Sequence, residues 1–557
     1  MIARTELRHA ATDSLTGPQI SRRGFLAGAS ALGGGAVLAA CSPGEGQRGA
    51  AGATSAFPSA LPGGTPKRGG TLTIGVTGGG NAETLFPGGA QVYSDYFRCY
   101  SLYNLLFYPG KNVTPIQPGL AVSAESNADA TVWTIKLRDG VVWHDGKAFT
   151  AADVVYNLQR LWPDERINLG AAYLKGIIDL PKVKAVDRLT VRVPLTRPVA
   201  EFPTLLVYVN FPVLPEGATS KSVAAKPVGT GAFRYVSFTP GRESVFEANR
   251  DYWEEGKPYV DRLVINSSFT DKNALVNALI GGQVNVVPGI DPVVARQQAN
   301  GKRFQVIQSE LAANVPLITM RVDKGPFVDN RVRQAFRLLC DRKGLVNGAL
   351  AGFGVPGNDL ISVGSQHYAK DMARRFDPDR ARSLFKEAGV AGKRFSLQTW
   401  AGGGIWDSAA TLFAQQASAA GVAVDVNVTS GETYFTPAGG VYTGYFRQNV
   451  TGPIGVSLTA SYRLFLSKSS PFPDSHWAQQ PGGDQYEALL NQAISAKDPA
   501  KAGALWRQVQ QLQFDQGGLI AWGNVPYLDA AANNVRGLST GAAMSFDSFR
   551  MCDGWIE

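Results

Sequence analysis

A stretch of 30 residues constrains the fold of this chain more than any other part of its sequence. It runs from Val132 to Leu161 and reads VWTIKLRDGVVWHDGKAFTAADVVYNLQRL. Its first residues alternate apolar and polar side chains, which is typical of a strand with one buried face. Asp139-Gly140 and Asp145-Gly146 predict turns on either side of a second short strand, Val141 to His144. Thr150 predicts a helix N-cap, so the stretch predicts a hairpin that leads into a buried helix.

The same stretch carries a family resemblance. The run W-x-I-x-L-R-D-G-V-x-W-x-D-G-x-x-F-T-A-x-D-V-x-Y, at residues 133–156, resembles the hallmark of the family 5 extracellular solute-binding proteins. These are the dipeptide-, oligopeptide- and nickel-binding receptors of ABC importers. The resemblance implies an α/β, two-lobed, periplasmic-binding-protein-like fold of type II, with an extra subdomain in the first lobe. It also implies a receptor without enzymatic activity that delivers a peptide or peptide-like solute to an ABC permease and ATPase complex.

The composition is that of a large globular protein. The 557 residues exceed one ordinary domain and predict two or three. Hydrophobic residues make up 44% and charged residues 18%, which is a globular composition. The formal net charge of +9 is spread along the chain without a block of five or more basic residues, so we expect a solvated surface and no nucleic-acid partner. We expect a monomer.

The N-terminus predicts export and a lipid anchor. Ser21-Arg22-Arg23-Gly24-Phe25-Leu26 resembles the twin-arginine export motif, although an ordinary secretion route would also accept the segment. Leu38-Ala39-Ala40-Cys41 matches a bacterial lipobox, which predicts lipidation of the Cys41 thiol and attachment to the outer face of the membrane. Residues 42–67 are rich in Gly, Ser, Ala and Pro and predict a flexible tether.

The predicted domain boundaries follow from these segments and from the resemblance. They are a signal peptide at 1–40, a tether at 41–67, a first lobe at 68–112 and 215–305, its extra subdomain at 113–214, a second lobe at 306–523, and a return to the first lobe at 524–557.

Two glycine triplets follow predicted strands, one in each lobe. Gly78 to Gly80 ends the strand that begins at Gly70, and Gly402 to Gly404 lies inside a predicted β-α-β unit of residues 395–428. Neither triplet is followed by Gly-Lys-Ser/Thr, which excludes a Walker phosphate loop. A right-handed crossover makes the strands of the unit parallel, and ligands of open parallel sheets sit beyond the carboxyl ends of the strands. We therefore expect ligand contacts at Gly79, Gly80, Trp400, Gly402 and Gly403.

Two positions at which this sequence differs from the family pattern bear on which ligand it binds. Peptide-binding members carry an acidic D-x-x-x-D-Y-x-D-P motif for the peptide amino group, whereas this chain has Tyr445 to Pro453, YFRQNVTGP, with Arg447 and no aspartate. Arg321 replaces a small polar residue. Either arginine is a candidate clamp for a carboxylate or phosphate, with a surface or salt-bridged role as the alternative. If Arg447 binds an anionic ligand, Arg447→Ala should cost about 1.5–3 kcal/mol of binding.

Two further aromatic residues and the tyrosine that opens the motif complete the predicted site. Trp400 and Trp522 are candidates for stacking on a planar ligand, with core packing as the alternative for each. Tyr445 is expected at the ligand because it stands beside Arg447 in the motif.

Catalytic and metal chemistry find no support in the sequence. None of the four His pairs with another ligand-type residue at metal spacing, and there is no G-x-S-x-G elbow. We therefore expect no cofactor, no metal and no catalytic residue. Beyond Cys41 the cysteines are Cys99, Cys340 and Cys552, so at most one disulfide can form. Cys340 with Cys552 is the favoured pair, and three buried thiols are the alternative.

Other functions stay open at this point. A sugar, opine or siderophore-like ligand suits the same scaffold. An exported hydrolase and a receptor that signals without transport are alternatives of a different class.

Overall fold

The fold was analysed in a computed structural model. It describes residues 56–90, 92–160, 174, 176–207, 211–298, 302–401, 404–435, 438–451, 457–470, 473–541 and 544–557. The predicted signal peptide and Cys41 lie outside these ranges. None of the helices within them is long and apolar enough to cross a membrane.

The strands of the described residues are short and are distributed over the whole chain. They are β1 (Thr71–Thr77), β2 (Phe107–Gly110), β3 (Val113–Pro118), β4 (Ala121–Ser126), β5 (Val132–Leu137), β6 (Lys184–Asp187), β7 (Thr190–Pro194), β8 (Phe233–Thr239), β9 (Glu243–Ala248), β10 (Arg262–Phe269), β11 (Val286–Val287), β12 (Gln305–Gln308), β13 (Val315–Met320), β14 (Val355–Pro356), β15 (Arg394–Ala401), β16 (Ala423–Ser430), β17 (Phe446–Thr451), β18 (Leu519–Ala521), β19 (Gly523–Asn524), β20 (Leu528–Ala531), β21 (Val535–Arg536) and β22 (Trp555–Ile556).

The helices fall between these strands. They are α1 (Tyr93–Leu102), α2 (Ala151–Arg160), α3 (Ser220–Ala225), α4 (Lys272–Ile280), α5 (Pro292–Gln298), α6 (Asn330–Leu339), α7 (Arg342–Ala349), α8 (Pro378–Glu387), α9 (Ile405–Ala419), α10 (Gly431–Tyr434), α11 (Gly440–Thr443), α12 (Leu458–Phe465), α13 (Gly483–Ser495) and α14 (Pro499–Gln516). The turn Ser545–Phe549 is not an α-helix, because Phe546, Asp547 and Ser548 have positive φ angles.

Three sheets organise these elements. The first has the strand order β12-β20-β11-β1-β10-β9-β8, and the second has the order β16-β15-β17-β13-β18. An antiparallel sheet of order β4-β5-β7-β6 holds the extra subdomain that the resemblance implies. The predicted two-lobed α/β fold of type II is confirmed. The exact domain boundaries stay a prediction.

Most of the predicted elements form as the periodicity indicates. β15 and β16 run parallel with Leu397 opposite Val426, so the predicted β-α-β unit is confirmed. Asp377 accepts a hydrogen bond from the Arg380 amide and starts α8, as its position before Pro378 predicts.

The hairpin and helix predicted for residues 132–161 form only in part. β5 and α2 form, and Asp153 accepts a hydrogen bond from the Thr150 amide at the start of α2. The predicted strand Val141 to His144 is wrong, since only an isolated bridge joins Val142 to Ala148. The Trp143 amide donates to the Lys147 carbonyl and the Phe149 amide donates to the Val141 carbonyl on either side of this bridge, while the His144 amide donates to the carbonyl of the distant Gly229.

The predicted flexible tether is also shorter than expected. Leu61 is buried, and its amide donates a hydrogen bond of 2.8 Å to the carbonyl of Leu538. Phe57 stacks on Phe353 with ring centroids 5.9 Å apart. These two apolar side chains find partners on the folded body, so the flexible prediction is wrong for residues 57–61.

A buried ion-pair network supports the loop at the carboxyl end of β1. Arg98 is fully buried on α1, and its Nη2 lies 2.8 Å from Oε2 of Glu83. Burial alone would raise the pKa of Glu83, but Arg98 and the amides of Gly241 and Gly79 lower it by more, so the pKa lies below its ordinary value. The network leaves no room at Gly78, where a Cβ would stand 2.1 Å from the carbonyl oxygen of Ser267.

Removing one member of this network should destabilise the fold strongly. We expect Glu83→Ala to lower the free energy of unfolding by about 3–5 kcal/mol, because it leaves the buried Arg98 guanidinium without its main counter-charge. Urea unfolding followed by circular dichroism measures this loss. The control is Glu310→Ala, which breaks an exposed ion pair with Lys111 and should change the stability little. Equal losses in the two variants would contradict the role given to Glu83.

Candidate functional site

Two chain segments cross between the first and second sheets, and they are bonded to each other. Residues 309–314 lead from β12 to β13, and residues 522–527 lead from β18 to β20. The Val525 amide donates to the Asn314 carbonyl at 2.7 Å, and the Asn314 amide donates back at 3.2 Å. The paired crossing segments form the connection about which the two lobes can move.

A cavity of about 340 Å³ lies between the two sheets, next to this connection. That volume falls within the usual range for small-molecule sites. The residues that line it come from both sheets, from the helices that follow their strands, and from both crossing segments; they are Val76, Thr77, Tyr93, Lys272, Leu275, Val276, Val287, Pro288, Gly289, Ile290, Pro292, Asn314, Pro316, Ile405, Trp406, Val450, Val525, Pro526, Tyr527 and Leu528.

The cavity wall is mainly apolar with a few polar groups. Thr77, Asn314, Tyr93 and Tyr527 are among its neutral hydrogen-bonding side chains, and Lys272 supplies the one formal charge among the described lining residues. Burial raises the pKa of Tyr93 to about 12, so its phenol stays a neutral donor at physiological pH. An apolar wall with a few convergent polar groups is what a small-solute site requires.

Trp400, which the sequence predicts as a ligand contact, lies next to the cavity wall in the second lobe and not in it. Trp400 is 6% exposed and does not line the cavity. Its ring packs against Trp406 with centroids 4.5 Å apart, and Trp406 does line the cavity. Tyr434 supports Trp400 from another side at 5.1 Å. Trp400 therefore positions the tryptophan that faces the cavity.

The predicted glycine contacts have different outcomes. Gly79 and Gly80 are absent from the described cavity wall, and the Gly79 amide donates to Oε1 of Glu83 at 2.9 Å, so this loop serves the buried network. Gly402 and Gly403 lie outside the described residues. The ligand contacts that the sequence predicts at the two glycine loops remain predictions.

Arg321 directly follows β13 and Tyr445 directly precedes β17, and neither lines the described cavity. Arg321 forms a two-pronged ion pair with Asp323, with nitrogen-to-oxygen distances of 3.0 and 2.6 Å. Its amide donates to the Tyr445 carbonyl, and the Tyr445 ring packs near Phe327 with centroids 6.1 Å apart. The salt-bridged alternative describes Arg321 better than the role of an anion clamp.

Arg447 is a structural residue, and this corrects the predicted ligand contact. Its side chain is 4% exposed, and its Nη2 lies 3.3 Å from Oδ1 of Asp474. It also donates 2.8 Å hydrogen bonds to the carbonyls of Gly444 and Asp474. Burial lowers the pKa of Arg447, and Asp474 opposes that change. A buried guanidinium with these partners cannot reach a solute in the cavity.

Trp522 and the cysteines require corrections as well. Trp522 is fully buried in the hydrophobic core of the second lobe, so it packs and does not stack on a ligand. Cys99, Cys340 and Cys552 are all free and buried, which makes the favoured Cys340–Cys552 disulfide wrong. Cys340 belongs to the core around α6, whereas Cys552 belongs to the core under the first sheet. Burial raises the pKa of the Cys340 thiol to about 12.

The sequence-based prediction missed five of the polar and aromatic side chains at the cavity. These are Tyr93, Lys272, Asn314, Trp406 and Tyr527. Lys272 and Trp406 each lie in the first turn of a helix that follows a strand, which is where the rule for open sheets points. Asn314 and Tyr527 lie on the crossing segments, which no local pattern marks. Among the described residues, no group of three or more His, Cys, Asp or Glu is placed to hold a metal ion.

Two α/β lobes joined by paired crossings, with a solute-sized cavity between them, define an extracytoplasmic binding protein of the type II architecture. The model of the bacterial extracellular solute-binding proteins, family 5 (middle), matches residues 115–464. The chain belongs to this family, as the motif at residues 133–156 predicts. The family is one of solute-binding proteins and not of enzymes.

Known proteins extend the comparison. The chain is 29% identical over 324 residues to the dipeptide-binding protein of Escherichia coli (strain K12), an alignment that covers 54% of this chain and 60% of that protein. It is 26% identical over 456 residues to the glutathione-binding protein GsiB of Pectobacterium atrosepticum, covering 78% and 84%. Among solved structures, the periplasmic binding protein DppA of Helicobacter pylori in complex with the peptide STSA has a TM-score of 0.73 at 19% identity, covering 88% of this chain and 99% of DppA.

The buried position of Arg447 makes a prediction about stability. We expect Arg447→Ala to lower the free energy of unfolding by about 3–5 kcal/mol, because Asp474 then keeps a buried charge without a partner. Urea unfolding of the ligand-free protein measures the change. Arg394→Ala, which breaks the exposed pair with Asp425, is the matched control and should cost less than about 1 kcal/mol. A loss in Arg447→Ala no larger than that in the control would contradict the structural role given to this residue.

Proposed function

We propose that this protein is the lipid-anchored substrate-binding component of an ABC importer and that it captures a peptide or peptide-like solute between its lobes. The observation that carries this proposal is the cavity of about 340 Å³, whose wall includes residues of both sheets and of both crossing segments. A solute held there contacts both lobes at once, so binding favours the closed arrangement. The permease and ATPase complex then receives the closed, loaded receptor.

The chemistry of the wall supports a peptide-like ligand. Its apolar residues suit aliphatic or aromatic side chains, while Asn314, Thr77 and two tyrosines supply hydrogen bonds for amide groups. The named ligands of the two relatives, a dipeptide and glutathione, are of a size that a cavity of this volume suits.

The alternatives agree less well with this wall. A sugar presents hydroxyl groups over most of its surface, and the described wall offers only a few polar partners for them, although Trp406 suits stacking on a sugar face or a planar group. Opine and siderophore-like ligands are the remaining variants on the same scaffold. A hydrolase needs a nucleophile and a base, and the lining residues that the structure describes include no Ser, Cys, His, Asp or Glu.

The anchor is part of the proposal. The lipobox ending at Cys41 supports attachment of an acyl group to the mature N-terminus, and each buried methylene adds about 0.8 kcal/mol to membrane binding. Residues 42–55 stand between Cys41 and the first described residues, so the anchor and the folded body are joined by a short polar segment. We place the protein at the outer face of the cell membrane as a monomer exported by the twin-arginine route.

The function is tested by native mass spectrometry of the purified receptor, followed by calorimetry with pools of dipeptides and tripeptides. We expect a co-purified small peptide or peptide-like molecule and saturable binding of one solute per chain. Binding of sugars with no response to either peptide pool would overturn the peptide proposal in favour of the sugar alternative.

The tryptophan at the cavity supplies a directed test. We expect Trp406→Ala to weaken binding of the co-purified solute at least about tenfold, or about 1.4 kcal/mol, because a large aromatic contact is lost. Calorimetry measures the affinity. Phe376→Ala removes an aromatic ring that is 52% exposed and absent from the described cavity wall, and it should leave the affinity unchanged. Equal affinities of the Trp406→Ala and wild-type proteins would place the solute elsewhere.

The anchor is tested by changing its attachment atom. Cys41→Ser removes the thiol, so we expect the protein to move from the membrane fraction to the soluble extracytoplasmic fraction and to lose incorporation of labelled fatty acid. The neighbouring change Ser42→Ala keeps the thiol and should keep the protein at the membrane. A Cys41→Ser protein that still carries lipid would contradict this anchor site.

A further inference from the structure

Lys272 is the one residue with a formal charge in the described wall of the cavity. It is the first residue of α4, which follows the carboxyl-terminal end of β10 in the first sheet. On the same side of the cavity lie Leu275 and Val276 of the same helix. The neighbours of Lys272 on this helix that line the cavity are therefore apolar.

The Lys272 side chain is exposed to solvent, yet protein surrounds it on several sides, as expected in a cleft. This desolvation lowers the pKa of its ammonium, and the nearby Asp291 opposes the change. The two groups do not form an ion pair within 4 Å in the described structure. The Asp291 carboxylate instead accepts a hydrogen bond of 2.7 Å from the Val293 amide at the start of α5. No described residue donates to or accepts from the Lys272 side chain.

The rest of the wall lacks a matching acid. None of the described lining residues is Asp or Glu, and the arginines that the sequence suggested for anion binding are committed to Asp323 and Asp474. The nearby acid, Asp291, already stabilises the charge of Lys272 and accepts a hydrogen bond from the Val293 amide, so a charged ammonium group of an enclosed solute would lose its hydration without gaining a counter-charge of its own. A carboxylate of the solute would gain one from Lys272.

We propose that Lys272 selects the ligand by binding its carboxylate, and that the preferred solute is an apolar, peptide-like acid without a charged amino group. N-blocked dipeptides are the simplest members of this class. The inference rests on the proposed function and names the chemical class of its ligand. It also assigns the wall formed by Trp406, Leu275 and Val276 to the apolar part of the solute.

The two halves of this inference depend on different contacts. The preference for an acid comes from Lys272 and its charge. The preference for a blocked amino group comes from the absence of carboxylates among the described lining residues. A solvated lysine without a ligand role would remove the preference for an acid and leave the preference for a blocked amino group, so one experiment can separate the two.

The experiment compares three pools of apolar dipeptides with the same sequences. One pool carries an N-acetyl group and a free carboxylate, the second carries an N-acetyl group and a carboxamide, and the third carries free amino and carboxyl groups. Native mass spectrometry identifies the members that bind the full-length mature protein, and calorimetry with the tightest member of each pool measures the affinity. We expect the N-acetylated acid to bind at least about tenfold more tightly than its amide and more tightly than the unblocked dipeptide.

Variants then assign the preference to the residue. Lys272→Met keeps the length of the side chain and should abolish the discrimination between acid and amide, whereas Lys272→Arg should keep most of it. Lys393→Met changes an exposed lysine that is absent from the described cavity wall and should leave every affinity unchanged. Unchanged thermal unfolding of Lys272→Met shows that a loss of discrimination is not a loss of fold.

The outcomes separate this inference from the proposed function. Equal binding of acid and amide by the wild-type protein, or discrimination that persists in Lys272→Met, overturns the role of Lys272 and leaves peptide binding intact. Binding of the unblocked pool alone overturns the preferred ligand class in the same way. If none of the three pools binds, the peptide-like function fails, and the inference fails with it.

Discussion

The structure depends on the paired hydrogen bonds between Asn314 and Val525, where the chain crosses between its sheets. The crossing segments do more than connect the lobes. The second one continues into β20, which enters the first sheet between β12 and β11, so the last part of the chain completes the sheet that the first part began. Since Asn314, Val525, Pro526 and Tyr527 also line the cavity, the connection between the lobes forms part of the wall of the site. A solute in contact with them bears directly on the angle between the lobes.

The buried charges of this protein are used for structure, and this decides where recognition can occur. Arg98 with Glu83 fixes the loop after β1, Arg447 with Asp474 fixes the second sheet, and Arg342 lies 2.5 Å from the buried Asp359. Each of these guanidinium groups is already paired in the core, where separating it from its partner is costly. The charge at the cavity comes from Lys272, on a helix of the first lobe. We propose that this lysine, unlike the buried arginines, is available to a solute.

Local sequence patterns predicted much of the fold and less of the site. The alternation in β15 and β16, the cap at Asp377 and the motif at residues 133–156 depend on neighbours along the chain, so they could be identified directly. The role of Arg447 depends on Asp474, which lies 27 positions further on, and no local pattern joins the two. Trp400 and Trp406 are close in sequence, yet the sequence alone does not indicate which of the two rings lines the cavity. The strand expected at Val141 to His144 is reduced to a single bridge, and the His144 amide bonds to the carbonyl of Gly229, a partner that no local pattern marks.

The three unpaired thiols have a consequence for how the protein behaves before and after export. Cys99, Cys340 and Cys552 are buried without forming a disulfide, so the described fold needs no oxidant and is compatible with both a reducing and an oxidising compartment. Burial also keeps all three in the unreactive thiol form. Because Cys340 and Cys552 belong to different cores, a thiol-specific reagent distinguishes local opening of one lobe from the other, and the native protein carries its own reporters of unfolding.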